Sequence, residues 1–353
     1  MKLIHCADLH LDSPMESNLP ADRARERRGE ILATFKKLIQ LADENGADAI
    51  LISGDLFDSK RTAKRTEQYV LELIREHPDL SFFYLAGNHD SGNRWLETPA
   101  LPENLHLFGD HWTSYAIDDV YITGSEAPDP ELLNLPADKV NILLLHGQAA
   151  KGNGNAADVI PFGKYKNKNI DYLALGHLHA YQVASLDTRG IACYSGCLEG
   201  RGFDECGQKG YVLIEIKNGH LTQALIPFAK RTLHEVHCDL TDCPSQLEIE
   251  KRMLRSVEAI QRQDLVKVVL EGSISAELLI ETSALGRLLE ERFYFAKVVD
   301  KTTLQIFPED YSHDVSLKGE FVRRVMASPL SQQEKYQVIA CGFRALSGEE
   351  PEI

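Results

Sequence analysis

Five short apolar stretches each run into a cluster of Asp, Asn or His, and this repeated junction limits the possible folds more than any other feature. Lys2–Ala7 ends at Asp8-Leu9-His10, and Ala49–Ser53 ends at Gly54-Asp55. Phe82–Ala86 ends at Gly87-Asn88-His89-Asp90, Asn141–Leu145 at His146-Gly147, and Tyr172–Leu175 at Gly176-His177-Leu178-His179. Helical spacing separates the first three. It is carried by Ile31, Leu32, Phe35, Leu38, Ile39 and Ala42 within 21–45, and by Val70, Leu71, Leu73 and Ile74 within 62–76. Strands alternating with helices predict an α/β layered domain around a largely buried sheet. Ligands bind such sheets at the carboxyl ends of the strands, where loops converge. The five clusters are therefore expected to meet in space.

After Pro227 the texture changes. Residues 232–240 and 266–272 read as strands, and 245–261 and 276–291 as helices, which predicts a small α+β unit. Two further helices are expected within 315–347, interrupted near Pro329. Their apolar residues, Phe321, Val322 and Val325 in one and Tyr336, Ile339, Phe343 and Leu346 in the other, form amphipathic faces. Such faces pack on a host domain or dock a partner. The expected division is 1–229, 230–303 and 304–353.

Composition excludes several classes. At 43% hydrophobic and 26% charged the chain is neither disordered nor fibrous. No window approaches the roughly 18 uninterrupted apolar residues of a membrane span. Asp8 and His10 break the first apolar stretch, so the N-terminus does not read as a signal peptide. Seven cysteines without an export signal predict free thiols in a reducing, cytoplasmic setting. Cys193, Cys197 and Cys206 lack the close pairs of a zinc knuckle. The net charge of −15, from 38 basic and 53 acidic residues, counts against a polynucleotide binder. It counts for less where a site carries its own cations.

The clusters supply carboxylates, an amide and imidazoles, a donor set suited to Mn²⁺, Fe²⁺ or Zn²⁺. Asp-x-His and His-x-His at strand ends can aim alternate side chains into one cleft. Adjoining glycines let the backbone turn sharply. A single Asp-x-His is more often a capped turn, and a lone His more often a satisfied core or surface residue. Five in order, each after an apolar strand, read as one site. Asp90 reads as an ordinary turn residue.

The ordered set DLH, GD, GNHD, LHG and GHLH resembles the calcineurin-like metallophosphoesterases. That resemblance implies a layered sandwich of sheets flanked by helices, followed here by the small capping domain and the C-terminal helices. It implies two adjacent divalent ions, Mn²⁺ foremost, bridged by Asp55. One would be held by Asp8, His10 and His179, the other by Asn88, His146 and His177. His89 would be the catalytic imidazole beside the leaving group. IHCADLHLDSP, GDLFD, LAGNHDS, DYLALGHLH and YSGCLEGRGFDECGQKG look more narrowly like the SbcD family of DNA repair exonucleases, in particular its YhaO-type branch. This likeness covers roughly 1–230 by motif and 231–300 by order of elements. It implies a DNA exonuclease, with endonuclease activity also open, in double-strand break repair. In the family the capping domain contacts DNA, later helices bind a coiled-coil, SMC-like ATPase, and the nuclease forms a homodimer. Two positions depart from the pattern: Asp12 stands where Gly is usual, and Cys197 where Ser is common.

Three basic runs could meet a polyanion: Arg23, Arg25, Arg27 and Arg28; Lys60, Arg61, Lys64 and Arg65; and Lys164, Lys166 and Lys168. The last two could flank the cleft as DNA contacts, although any one run is more often a solvated face. Two rivals remain. One is a phosphatase or phosphodiesterase for small nucleotides or phosphoproteins, favoured by the acidic balance but not by the extra domain. The other is a non-catalytic scaffold, whose natural signature would be a broken ligand set.

Overall fold

The computed structural model describes residues 1–15, 19–59, 62–90, 101–150, 159–275, 278, 280–305 and 307–346. The chain divides into two compact units, Met1–Thr232 and Leu233–Ile353. The first runs β1 (Lys2–Cys6), α1 (Ala21–Glu44), β2 (Ala49–Ser53), α2 (Lys64–Arg75), β3 (Ser81–Leu85), β4 (Leu105–Leu107), β5 (Thr113–Ile117), β6 (Val120–Gly124) and β7 (Val140–His146). It continues with β8 (Gln148–Ala150), β9 (Val159–Pro161), β10 (Tyr172–Gly176), β11 (Gln182–Ser185), β12 (Ile191–Tyr194), β13 (Gly210–Lys217) and β14 (His220–Pro227). Two six-stranded sheets result, ordered β14-β13-β1-β2-β3-β4 and β11-β12-β10-β7-β6-β5. β1 to β4 are parallel, as are β6, β7, β10 and β12. Antiparallel strands occupy the flanks.

The sheets face each other across a core drawn from both, including Leu3, Leu51 and Phe83 from one and Ile142, Leu144 and Tyr172 from the other. Alternate residues of the same strands point outward. On the outer face of the second sheet Leu143, Leu145, Leu173 and Leu175 form another apolar cluster. A strand covered on both faces reads as an unbroken apolar run, which is why all of β2 (AILIS) is buried. The α1 stripe buries Ile31, Phe35, Leu38, Ile39 and Ala42, as its periodicity predicts, while Leu32 is only half-buried.

His5 sits wholly inside this core, its Nδ1 2.9 Å from the Tyr172 hydroxyl. Burial pushes its pKa from 6.5 down to about 3, opposed only in part by a hydrogen bond with the Leu175 backbone. The unfolded chain takes up a proton below pH 6.5 that the folded chain refuses. Stability is therefore complete above pH 6.5 and falls as pH drops from there toward 3, by up to about 1.4 kcal/mol per pH unit from this residue. Urea unfolding at pH 7 and pH 5 should show a smaller acid loss in His5→Gln than in the wild type. Equal losses would mean His5 is not buried as a neutral ring.

The second unit runs β15 (Leu233–Asp239), α3 (Gln246–Ser256), β16 (Leu265–Glu271), β17 (Ser273–Ser275), α4 (Thr282–Glu290), β18 (Phe295–Asp300), β19 (Thr303–Gln305), α5 (Leu317–Met326) and α6 (Gln332–Leu346). β15, β16 and β18 form a parallel sheet whose core with α3 and α4 includes Val266, Val268, Ile249, Met253, Leu285 and Leu289. α3 is shorter than the expected 245–261, because beyond Ser256 the amides of Glu258 and Ile260 bond to carbonyls three residues back in tighter turns. α4 begins at Thr282 rather than 276, Leu278 and Ile280 instead packing against the core from outside a helix. α5 and α6 bury Val322, Val325, Ile339 and Phe343 between them and leave Tyr336 and Leu346 exposed.

Candidate metal centre

Each predicted cluster lies at the carboxyl end of a parallel strand, and the loops are stitched across sheet neighbours. The Asp8 N–H donates to the Gly54 carbonyl (3.1 Å) and the His10 N–H to the Asp55 carbonyl (3.0 Å). The His177 N–H donates to both Asp8 oxygens, at 2.9 and 3.1 Å, joining the first sheet to the second. Asp8, His10, Asp12, Asp55 and His177 all have positive φ, between 46° and 101°. Such backbone is costly for residues other than glycine and gathers at functional sites. At Asp12 (φ 68°) the backbone is one that glycine adopts more readily. The Asp12 carboxylate accepts the Ala63 N–H (3.0 Å) at the start of α2.

Ligand atoms of Asp8, His10 and His179 lie within 4.8 Å of one another, as do those of Asp8, Asp55 and His146, and those of His10, Asp58 and His89. His10 Nε2 and His179 Nε2 are 3.2 Å apart. His146 Nε2 lies 3.0 Å from Asn88 Oδ1 and 3.3 Å from Asp55 Oδ2, and Asp55 Oδ2 is 3.7 Å from His10 Nε2. The His177 ring stands edge-on to His146 with centroids 5.5 Å apart. All eight predicted residues therefore gather in one place, with Asp55 between the two sets. The His89 N–H donates to Asp55 Oδ1 (2.9 Å), and its Nδ1 donates to the Asp58 carbonyl (3.1 Å), while the residue stays exposed.

The donor set fits divalent cations on two grounds. His146 Nδ1 is taken up by the Ser53 carbonyl (2.9 Å) and His179 Nδ1 by Glu205 Oε1 (2.7 Å). These second contacts fix the rings so that Nε2 lone pairs face carboxylate, amide and imidazole acceptors, an arrangement that a cation satisfies. The local field also calls for positive charge. Burial lowers the His146 pKa, but Asp55 and Asp8 overrule it and hold the ring up at about 9. Burial likewise raises the Asp55 carboxyl, yet its contact with His146 wins and draws it down to about 2. Glycine makes room for this crowding. A Cβ on Gly54 (φ +90°) would lie 2.6 Å from His146 Cγ, and one on Gly87 would lie 2.8 Å from Asp55 Cγ.

Sequence reasoning missed three residues that hold this set: Asp58, Arg201 and Glu205. All lie in quoted motifs, GDLFD and GRGFDECG, but nothing in their spacing shows that they face His10 and His179. Asp90 is more than a turn residue. It is fully buried and accepts the N–H groups of Gly87 (2.6 Å), Leu56 (2.7 Å) and Phe57 (3.2 Å), clamping the loop after β3 to the loop after β2. Cys197 lies beside Asp8, since Ala7 pairs with it in an isolated bridge.

The basic runs fare unevenly. Arg27 is buried and donates to Glu30 (2.7 Å) and Glu199 (2.9 Å), Arg28 donates to the carbonyls of Ser13 and Pro14, and Arg23 pairs with Glu26, so that run is largely committed to partners within the protein. Lys60 and Arg61 lie outside the described residues. Lys64 and Arg65 are exposed in the first turn of α2, and Arg65 lines a groove of about 460 Å³ with Lys36 and Tyr69. Lys164 and Lys166 are exposed and Lys168 half-buried around the short turn Phe162–Tyr165. None of these five has a salt bridge among the described residues. No described helix is long and apolar enough to cross a membrane, and all seven cysteines are free.

Residues 1–181 match the family described as calcineurin-like phosphoesterase. The chain is 30% identical over 250 residues to the uncharacterized metallophosphoesterase YhaO of Bacillus subtilis, covering 63% of this chain and 59% of that one. It is 22% identical over 347 residues to the DNA double-strand break repair protein Mre11 of Archaeoglobus fulgidus, covering 84% and 73%. Over 268 residues it is 26% identical to a component of the nuclease SbcCD of Staphylococcus saprophyticus, covering 64% and 69%. The match to the Bacillus protein thus spans less than two-thirds of that relative's length.

Proposed function

This chain belongs to the calcineurin-like phosphoesterase family, and we propose that within it the chain is a metal-dependent DNA phosphodiesterase, an exonuclease with endonuclease activity also open, serving double-strand break repair. The observation that carries the reading is the convergence of five strand ends on two overlapping ligand sets, Asp8–His10–His179 and Asp8–Asp55–His146. Asn88 and His177 complete the second set. The names of the Mre11 and SbcCD relatives support DNA as the substrate.

When bound, two divalent cations supply Lewis acidity, neutralise charge on the phosphoryl group and lower the pKa of water. The mixed oxygen and imidazole donors suit Mn²⁺ first, with Fe²⁺ and Zn²⁺ compatible. Asp55 serves both ligand sets through a carboxylate that lies between them. Asn88 adds an oxygen without adding charge. His89, anchored through Nδ1 on the Asp58 carbonyl, delivers a proton from Nε2 to the departing oxygen. Lys64, Arg65, Lys164, Lys166 and Lys168, with Lys60 and Arg61, are assigned to the DNA backbone, so binding should weaken steeply with salt. Residues 230–303 take the role of a capping domain that positions DNA. Residues 304–353 take that of the surface for a coiled-coil ATPase, a role suited to the exposed Val315, Leu317, Tyr336 and Leu346. The resemblance adds a homodimer, and the seven free cysteines suit a reducing, cytoplasmic setting.

The acidic net charge favours a second reading, hydrolysis of small nucleotides or phosphoproteins. Metal-stripped protein resupplied with Mn²⁺, with and without the co-purified ATPase, separates the two. Degradation of linear duplex DNA is expected. Hydrolysis of cyclic nucleotides or phosphopeptides with duplex DNA untouched in both states would overturn the DNA assignment.

A further inference from the structure

The two histidines assigned to one cation come from opposite sheets, His10 after β1 and His179 after β10. Each has a carboxylate behind it. His10 Nδ1 lies 3.0 Å from Asp58 Oδ1, and His179 Nδ1 lies 2.7 Å from Glu205 Oε1. A single guanidinium spans both carboxylates. Arg201 Nη1 donates to Asp58 Oδ1 (2.8 Å), its Nη2 donates to Glu205 Oε1 (2.9 Å), and its backbone N–H donates to Glu205 Oε2 (2.8 Å). The chain of contacts His10–Asp58–Arg201–Glu205–His179 closes a ring whose open side is the 3.2 Å gap between the two Nε2 atoms. Among the described residues, nothing comparable ties Arg201 to the other ligand set. There His146 is steadied by the Ser53 carbonyl and faces Asn88.

We propose that Arg201 is a positioning residue that preorganises one cation site of the pair, that of Asp8, His10 and His179, and leaves the site of Asn88, His146 and His177 unaffected. The proposal rests on the two-cation reading above. The physical reason is geometric. Asp58 and Glu205 belong to separate loops, and both are acceptors only, so they need a donor that reaches both at fixed separation. A planar guanidinium fork does this, whereas a lysine ammonium on a flexible stem offers a charge without the fork. Loss of such an outer partner typically costs about 10- to 100-fold in metal affinity.

The test uses the full chain, stripped with chelator and titrated with Mn²⁺, read by calorimetry and by electron paramagnetic resonance. Wild type should bind two equivalents and show the signal of a spin-coupled pair. Arg201→Ala should bind one equivalent with wild-type affinity and the second about 10- to 100-fold more weakly. At Mn²⁺ levels that fill both wild-type sites, its spectrum should be that of single uncoupled ions. Arg201→Lys should resemble the alanine variant. A coupled pair with unchanged affinities in Arg201→Ala, equal weakening of both sites, or full recovery in Arg201→Lys would each overturn the proposal. If Arg201→Ala fails to match the wild-type circular dichroism, Glu205→Gln replaces it, with the same weakening of one site expected and an unaltered pair again overturning the idea. A wild type that never binds a coupled pair would instead sink the two-cation reading, and the proposal with it.

Discussion

Replacing Asp55 with alanine is expected to abolish cation binding at both sites and to cut DNA hydrolysis by roughly 10³-fold or more, since loss of even one electrostatic donor at a reacting centre costs about 10²–10³. Asp55 Oδ2 lies 3.3 Å from His146 Nε2 and 3.7 Å from His10 Nε2, so both ligand sets lose a shared oxygen at once. The loss is also one of charge. The field of Asp55 and Asp8 that holds the His146 ring up at about 9 is the same field that would hold a cation. Asp55→Asn keeps an acceptor for the His89 N–H but removes the charge, and should fall between wild type and the alanine variant. Metal content after dialysis, beside an unfolding curve to exclude gross misfolding, measures this. An alanine variant that still retains two equivalents would remove Asp55 from its bridging position.

His89→Ala should behave in the opposite way, keeping both cations while losing about 10²–10⁴-fold in turnover on DNA, the usual contribution of a positioned general acid. Its ring groups with His10 and Asp58 but stands outside the sets Asp8–His10–His179 and Asp8–Asp55–His146, and its Nδ1 is committed to the Asp58 carbonyl. A proton donor matters only where the departing oxygen needs a proton. On bis(p-nitrophenyl) phosphate, whose leaving group departs readily as an anion, the defect should shrink markedly. Equal losses on both substrates would mean that His89 binds phosphate rather than protonating the leaving oxygen. Lost metal would place it among the ligands.

Much of this centre could be read from the chain alone, because its signals are local. An apolar run ending in Asp-x-His or Gly-Asn-His-Asp carries both the strand and the turn within about ten residues, and parallel sheets bring their carboxyl ends to one edge. The α1 and α2 stripes were legible for the same reason. The residues behind the centre were not. Arg27 reads as part of a basic surface, yet Glu199, 172 positions away, lies against it. Asp58, Arg201 and Glu205 acquire a role only when loops from both sheets are stacked.

The linear order of residues thus determined the strands and helices that frame the centre and which donors stand at those strand ends, since periodicity and turn chemistry act over a few residues. Only the tertiary structure decided which carboxylate backs which imidazole, that Asp90 clamps two loops, and which arginines are sealed inside. Those pairings depend on two sheets closing over a common core, and contacts across such distances leave no spacing in the chain to read.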